Sequence, residues 1–446
     1  MPSTLRSVFW LAFMVSAMKQ IYARARLVAV VAFCSSVVCG YSVLTHEAIV
    51  DSVWDSSIQK LLVKRFPNAT PEDLEKAHAY TYGGCIIQDI GYYPFGSHLF
   101  SDLTHYVRTG DFILALLRES HDLNEYAFAL GAIAHYAADN SGHRLAINPS
   151  VPILYPKLAQ KFGKTVTYWD DPTSHIRTEF GLDVLQVANQ RYASNKYHKF
   201  IGFEVSKPVL ERAFRDTYGI ELKDVFSNLN LALGSYRYGV SSLIPSMTRV
   251  AWDLKKDQIT KEIPGVTRKT FLYNLSRSSY EKDWGREYQR PGFRVHVVSW
   301  FIRVMPKIGP FKSLAFRAPT PEVEKMFMAS FNTTVDTYKA LLASVDAGQL
   351  QLPNRNFDVG DLTRLGMYKG ADEAYTKLVG KLTEHKFTGM TADLRSNILM
   401  FYGGASAPVY AKTPKAAEKE KTDWAKLQDQ LMQLQETASA ESNPSP

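Results

Sequence analysis

The stretch His135-Tyr136-Ala137-Ala138-Asp139-Asn140-Ser141-Gly142-His143 says most about the fold and chemistry of this 446-residue chain. Its His135, Asp139 and His143 recur every fourth residue, which places them on one face of an α-helix. The apolar, alanine-rich run at 125–138 predicts that this helix is buried. Because burying an unpaired carboxylate is costly, we interpret the stretch as a metal-binding helix. For an isolated His-Asp pair, a surface pair or a hydrogen-bonded core histidine would be the alternative.

Further candidate ligands lie within the same half of the chain. His175 and Glu179 repeat the spacing of four on a second predicted helix, which begins after Asp171-Pro172-Thr173-Ser174. Judged alone, this pair also fits a solvated helix face. Together with the remaining candidates, these side chains offer imidazole nitrogens and carboxylate oxygens, a donor set that suits zinc. The remaining candidates are His46, Asp89 and His105.

The order and approximate spacing of five short segments resemble the zinc-dependent phospholipase C family. The family is taken broadly here, to include the catalytic domain of glycosylphosphatidylinositol-specific phospholipase D, and the fungal single-strand nucleases are more distantly similar. The five segments are Thr45-His46-Glu47, Gln88–Pro94, Thr104–Arg108, His135–His143 and His175–Glu179. The resemblance covers residues 41–250 and implies a mainly α, multi-helix phospholipase C/nuclease-like bundle as the catalytic domain.

The resemblance also implies a site with three zinc ions. One ion would be bound by Asp89, His105, His135 and Asp139, and a second by His143, His175 and Glu179. The third would be bound by His46, by Asp139 as a bridge, and by the amine and carbonyl of Tyr41, if cleavage makes that residue the N-terminus. Asp89 would also act as the general base, and the neighbouring pocket residues would be Glu47, Tyr92, Tyr93 and Asp102.

One interval departs from the bacterial phospholipases. Only three residues separate Asp139 from His143, where those enzymes usually have a longer gap. The glycosylphosphatidylinositol-cleaving relatives share the shorter gap. The shorter gap therefore does not argue against the predicted metal site, but it leaves the substrate undetermined.

The first 40 residues have the pattern of a signal peptide. Arg24 and Arg26 precede an apolar run at 27–38 that is short for a membrane span. Val38 and Gly40 are small enough for the positions that signal peptidase reads. We therefore expect an exported protein, secreted, periplasmic or on the outer surface. An uncleaved leader that anchors the protein in a membrane is the alternative.

Charge and cysteine content limit the other possibilities. The chain has 52 Lys and Arg against 44 Asp and Glu, and four of its cations but no acids lie in residues 1–40. The net charge beyond residue 40 is therefore +4, too mild to indicate a stable nucleic-acid partner. Of three cysteines only Cys85 lies outside this leader, so an internal disulfide is not expected.

The rest of the chain divides by composition into three parts. Residues 251–320 form a basic, aromatic-rich extension, which we interpret as a core helix with basic loops, or alternatively as a membrane-surface patch. Residues 321–410 are expected to be helical. Residues 411–446 are expected to be a polar, largely disordered tail with a short amphipathic helix at 424–434.

The combined prediction is an exported zinc-dependent phosphodiesterase that hydrolyses phospholipid headgroups at a membrane surface. Two alternatives use the same site: a zinc-dependent single-strand nuclease, and a catalytically inactive zinc-binding protein at the membrane. Six other histidines match no family position and are interpreted as structural or surface residues. They are His78, His98, His121, His198, His296 and His385.

Overall fold

The computed structural model describes residues 43–188, 202–238, 316–403 and 406–442, with isolated positions between 240 and 260. Throughout these ranges the regular structure is helical, with no β-strand beyond a single antiparallel bridge between Arg355 and Leu362. The prediction of a mainly α bundle is confirmed.

The helices before residue 240 supply all the described candidate ligands. They are α1 (Val43–Val53), α2 (Gln59–Arg65), α3 (Pro71–Ile86), α4 (His98–Tyr106), α5 (Thr109–Arg118), α6 (Leu123–Gly142), α7 (Asn148–Leu154), α8 (Pro156–Phe162), α9 (Pro172–Ala188), α10 (Lys207–Tyr218), α11 (Leu222–Val225) and α12 (Leu229–Tyr238). A π-helical turn, Trp54–Ile58, joins α1 to α2, and a second, His143–Ile147, joins α6 to α7. A 3-10 helix at Ile87–Tyr92 follows α3.

Glycines bring α3 and α6 unusually close together. A Cβ on Gly84 of α3 would lie 1.8 Å from the backbone oxygen of Phe128, and one on Gly131 of α6 would lie 2.0 Å from that of Thr81. Neither distance is possible for a larger residue, so both glycines are needed for this crossing. The crossing places the end of α3 directly against the face of α6 that carries His135.

The C-terminal helices pack on the same core. They are α13 (Pro321–Asp346), α14 (Lys369–Glu384), α15 (Ala392–Tyr402) and α16 (Pro414–Ser442). The buried hydroxyl of Tyr338 on α13 donates a hydrogen bond to the backbone oxygen of Leu130 on α6, at 2.9 Å. Between α13 and α14 lies an irregular segment, residues 347–368, here called the 347–368 loop. It runs along the C-terminal end of α6, where the candidate ligands lie.

The C-terminal segment contains the last described helix, and residues 443–446 of the polar tail lie outside the described residues. Residues Pro414–Ser442 form one helix, much longer than the short helix predicted at 424–434. Its buried Leu427, Leu431 and Leu434 recur at helical intervals and form an apolar stripe within an otherwise polar sequence. Packing of that stripe stabilises the helix beyond what its composition suggested.

Several predictions fall on residues outside the described ranges. The leader 1–40, Tyr41, His198 and His296 lie there, as does most of the extension at 251–320. Among the helices of the described residues, none is both long and apolar enough to cross a membrane.

Candidate metal centre

All eight of the described candidate ligands are buried and lie around the C-terminal half of α6. They come from α1, the 3-10 helix, α4, α6, the turn after α6, and α9. They are His46, Asp89, His105, His135, Asp139, His143, His175 and Glu179. Segments that are up to 133 positions apart in the sequence therefore converge on one interior region.

Asp139 lies at the centre of this region and has neighbours on both of its carboxylate oxygens. Its Oδ2 is 3.1 Å from Nε2 of His135 and 3.5 Å from Nε2 of His105. Its Oδ1 is 3.4 Å from Nε2 of His46 and 3.9 Å from Nε2 of His143. This arrangement is suited to a carboxylate that bridges two cations.

Backbone carbonyls orient two of the histidines. Nδ1 of His105 is 2.8 Å from the oxygen of Ser101, and Nδ1 of His135 is 2.9 Å from that of Cys85. Because a carbonyl only accepts, each Nδ1 carries a proton, which leaves Nε2 as the ring nitrogen that could bind a metal ion. The two Nε2 atoms face each other at 3.3 Å. Two nitrogens at this distance can share a proton or, as two ligands, one metal ion.

Asp89 and His46 complete the donors around these two histidines. Asp89 Oδ1 is 3.3 Å from Nε2 of His105, and the ring of His46 stacks on that of His135 at 4.6 Å between centroids. Two overlapping sets of donor atoms are close enough to share an ion: His46 with Asp89 and His135, and His105 with His135 and Asp139. We call Asp89, His105, His135 and Asp139 the first subsite.

A second group lies one helical turn further along. Glu179 Oε1 is 3.0 Å from Nδ1 of His175 and 3.6 Å from Nε2 of His143. His143 begins the π-helical turn that follows α6, a local widening that often occurs at functional sites. We call His143, His175 and Glu179 the second subsite.

Asp358, in the 347–368 loop, was missed from the sequence. Its buried carboxylate oxygen Oδ1 lies 3.2 Å from Nδ1 of His143 and 3.7 Å from Nε2 of His175, and the three residues form a third set of potential donors. No helical spacing links Asp358 to the other acids. The only local signal is an acid within the short apolar run at 357–360, which is weak.

The electrostatics of the centre favour bound positive charge. Burial lowers the pKa of His46. Burial alone would raise the pKa of Asp139, but His135 and the other histidines hold it well below its usual value. Burial also opposes protonation of His105, yet the neighbouring carboxylates of Asp139 and Asp89 raise its pKa to about 10. The carboxylates thus attract a cation, whether a proton or a metal ion.

Buried oxygens without partners support the same conclusion. Within the described part of the chain, both carboxylate oxygens of Asp89 and of Glu179 lack a hydrogen-bond donor. Burial raises the pKa of Glu179 well above its usual value, which marks an uncompensated carboxylate. Nitrogen and oxygen donors in such a cluster suit zinc, so the residues present fit the metal suggested by the sequence.

The expected pocket residues separate into two groups. The ring of Tyr92 lies 5.9 Å from that of His105 and borders the first subsite. Tyr93 instead packs its ring on Tyr236, at 4.1 Å. Asp102 contacts Lys377 Nζ at 3.5 Å. Burial raises the pKa of Cys85 on α3, and the charge of Glu47 raises it further. Tyr92 thus contacts a candidate ligand through its ring, and Asp102 interacts electrostatically with His105.

Two other histidines have described acidic partners away from the centre. His78 is buried, with its Nε2 3.0 Å from Asp51 Oδ1 and its ring stacked on Trp54. His385 is exposed and its Nε2 lies 3.4 Å from Asp224 Oδ1. These contacts agree with a structural or surface role for both.

A buried cluster of histidines and carboxylates within a helical bundle defines a class of metal-binding helical proteins. Comparison with protein families agrees with this class: residues 45–228 match the family described as zinc dependent phospholipase C, which supports the resemblance found in the sequence. No curated protein and no solved structure matched the chain. Both subsites lie within the matched residues, whereas Asp358 lies outside them.

Proposed function

We propose that the protein is an exported phosphodiesterase that binds three zinc ions and hydrolyses the headgroup bond of phospholipids, as a phospholipase C does. The observation that carries this proposal is the first subsite. There His105 and His135 present opposed Nε2 atoms at 3.3 Å, with the oxygens of Asp89 and Asp139 beside them. Such a donor cluster holds a metal ion of the kind that hydrolyses phosphodiesters.

The residues of the chain have distinct parts in this proposal. The first subsite would hold one zinc ion and the second subsite another, while His46 and Asp139 would contribute to the third. Bound zinc would supply a water of lowered pKa and would polarise the phosphoryl oxygens of the substrate. Asp89 would accept the proton of the attacking water, because neither of its oxygens accepts a hydrogen bond from a described donor. Burial of the whole cluster limits competition from bulk water and strengthens its electrostatic interactions.

The decisive experiment combines metal analysis with hydrolysis of phosphatidylcholine vesicles. We expect bound zinc, release of phosphocholine, and loss of that activity in a chelator. The variant Asp89→Asn should be nearly inactive, whereas Asp336→Asn, an exposed position on α13, should behave as the wild type. Absence of zinc, or activity indifferent to chelation, would refute the proposal.

A single-stranded DNA substrate in the same assay tests the nuclease alternative. We expect the zinc-loaded protein to leave DNA intact, because the net charge beyond the leader is only +4. Cleavage of DNA without cleavage of lipid would reassign the substrate. Zinc binding with neither activity would favour the inactive membrane-associated protein.

Export is proposed from the charge and hydropathy of residues 1–40 alone. N-terminal sequencing of protein recovered outside the cytoplasm should begin at Tyr41, whose free amine is then available as a metal ligand. Protein that retains Arg24 and Arg26 would instead favour the anchored form. A retained leader would also leave the third ion without its amine ligand.

A further inference from the structure

The two histidines of the second subsite are each held by a side chain on the nitrogen that points away from Glu179. His143 Nδ1 is 3.2 Å from Asp358 Oδ1, and His175 Nε2 is 2.8 Å from Asn148 Oδ1. The amide of Asn148 also donates through Nδ2 to the backbone oxygen of Asp358, at 2.6 Å. This bond fixes the orientation of the amide, so its oxygen must face His175 and accept the Nε2 proton.

The carboxylate of Asp358 is itself firmly held. Its Oδ2 accepts hydrogen bonds from the hydroxyl of Tyr368, at 2.5 Å, and from the backbone N–H of Tyr168, at 3.0 Å. The backbone N–H of Asp358 donates to Asn356 Oδ1, at 2.9 Å. With Oδ2 saturated, Oδ1 is left directed at His143. A carboxylate in this position is a hydrogen-bond acceptor for the imidazole.

The rest of the loop is anchored to the helices that carry the first subsite. The backbone N–H of Phe357 donates to the oxygen of His105, at 3.0 Å, and its ring lies against that histidine. The hydroxyl of Tyr136 donates to the oxygen of Pro353, at 2.9 Å. Asp358 therefore lies in a segment that hydrogen bonds hold against these helices.

The geometry argues against Asp358 as a direct ligand. The His143 nitrogen that faces Asp139 and Glu179 is Nε2, at 3.9 and 3.6 Å. An ion between Asp358 and His143 would have to use Nδ1 instead, which lies on the other side of the ring. Since one imidazole has one metal-facing nitrogen in this arrangement, the two placements exclude each other.

We propose that Asp358 is a positioning residue of the second subsite. It accepts the Nδ1 proton of His143 and so keeps Nε2 as the lone pair that faces Glu179. Carboxylates that hold metal-binding histidines in this way typically raise metal affinity by roughly 10- to 100-fold. The inference rests on the metal centre of the proposed function but not on its substrate. A residue 130 positions beyond the matched family segment thereby completes the site.

The test compares zinc binding by full-length Asp358→Asn and wild type, with Asp361→Asn as a control from an exposed position of the same loop. Each protein is equilibrated with zinc in graded chelator, and the bound metal is counted by mass spectrometry. We expect one equivalent to bind roughly 10- to 100-fold more weakly in Asp358→Asn. The other equivalents, and all those of Asp361→Asn, should bind as in the wild type.

Two spectroscopic readouts separate positioning from other roles. In the metal-free wild type, nitrogen NMR should show His143 protonated on Nδ1, and Asp358→Asn should lose that preference. In cobalt-substituted protein, the visible absorption of Asp358→Asn should indicate the same coordination number as that of the wild type. A changed coordination number would make Asp358 a ligand and overturn the inference, as would equal zinc affinities in Asp358→Asn and wild type.

A milder variant covers the case in which Asp358→Asn does not fold. Tyr368→Phe removes one donor to Oδ2 without changing charge, so it should weaken the same zinc equivalent by a few-fold; an unchanged affinity would overturn the inference. A wild type that binds no zinc would refute the proposed function as well. Zinc binding that is normal in the wild type and in all variants would refute the inference alone.

Discussion

The two subsites differ in what holds their histidines. In the first subsite, backbone carbonyls orient both histidines. The carbonyl of Ser101, on the same helix, orients His105, and that of Cys85, on α3, orients His135. In the second, His143 and His175 are oriented by the side chains of Asp358 and Asn148. Backbone atoms are present whatever the residue, whereas side chains can be lost by a single substitution. We therefore expect the second subsite to be the more sensitive to mutation.

Removing all metal should have the largest effect on activity and thermal stability, and the effects of the variants below can be compared with it. Metal-free protein should be inactive and should unfold at a lower temperature, because zinc binds the folded state only. Each site contributes about 2.7 kcal/mol of stability at a zinc concentration 100 times its Kd. Calorimetry over a zinc titration measures this. A melting temperature independent of zinc would contradict occupancy of either subsite.

Loss of the carboxylate between the subsites should come next. Asp139→Asn removes charge from an aspartate whose oxygens face His135 on one side and His46 on the other. We expect more than one zinc equivalent to be lost and hydrolysis to fall at least roughly 100-fold. Zinc analysis and vesicle assays measure the effect, with Asp336→Asn as the control. Retention of the full zinc content would show that Asp139 does not bridge.

Single-subsite variants sharpen the comparison. Glu179→Gln should release the zinc of the second subsite and leave the first occupied, because the described close contacts of the Glu179 carboxylate are with His143 and His175. Asp89→Asn should do the reverse. Both should abolish most hydrolysis while differing in which equivalent is lost, which cobalt spectra can distinguish. Identical losses in the two variants would mean that the subsites bind metal as one unit.

The smallest effects are expected from variants that compare the side-chain acceptors of the second subsite with the backbone acceptors of the first. Asn148→Ala removes the acceptor of His175 and should weaken the second subsite by roughly 10- to 100-fold. Cys85→Ala keeps the backbone carbonyl that orients His135, so zinc affinity should change less than about 2-fold. Competition with a chelator measures both. Comparable weakening in the two variants would remove the distinction between the subsites.

The first subsite and much of the second could be predicted from the sequence. Helical spacing of four relates His135 to Asp139 and His175 to Glu179, and each pair stays together in the fold. The resemblance to a family added His46, Asp89 and His105, which no local spacing connects. Convergence of these segments depends on tertiary packing, including the glycine-mediated crossing of α3 and α6.

Asp358 and the C-terminal helix show where sequence reasoning stops. Asp358 lies within the 347–368 loop and has no periodic relation to the histidines. Its position therefore depends on the hydrogen bonds that anchor this loop. The helix at 414–442 is longer than the one predicted at 424–434, because charged residues dominate the composition around the predicted helix. Its leucine stripe is short, and it stabilises the helix because the leucines pack against the core.

The separation of 215 residues between His143 and Asp358 bears on the order of assembly. During synthesis, the histidines and carboxylates of residues 46–179 emerge long before the segment that contains Asp358. Contacts between distant parts of a chain also form late in folding, because closing a long loop costs entropy. We therefore expect a nascent or refolding chain to capture its first zinc ion while the second position is still immature, and to acquire full loading only after the C-terminal region has docked.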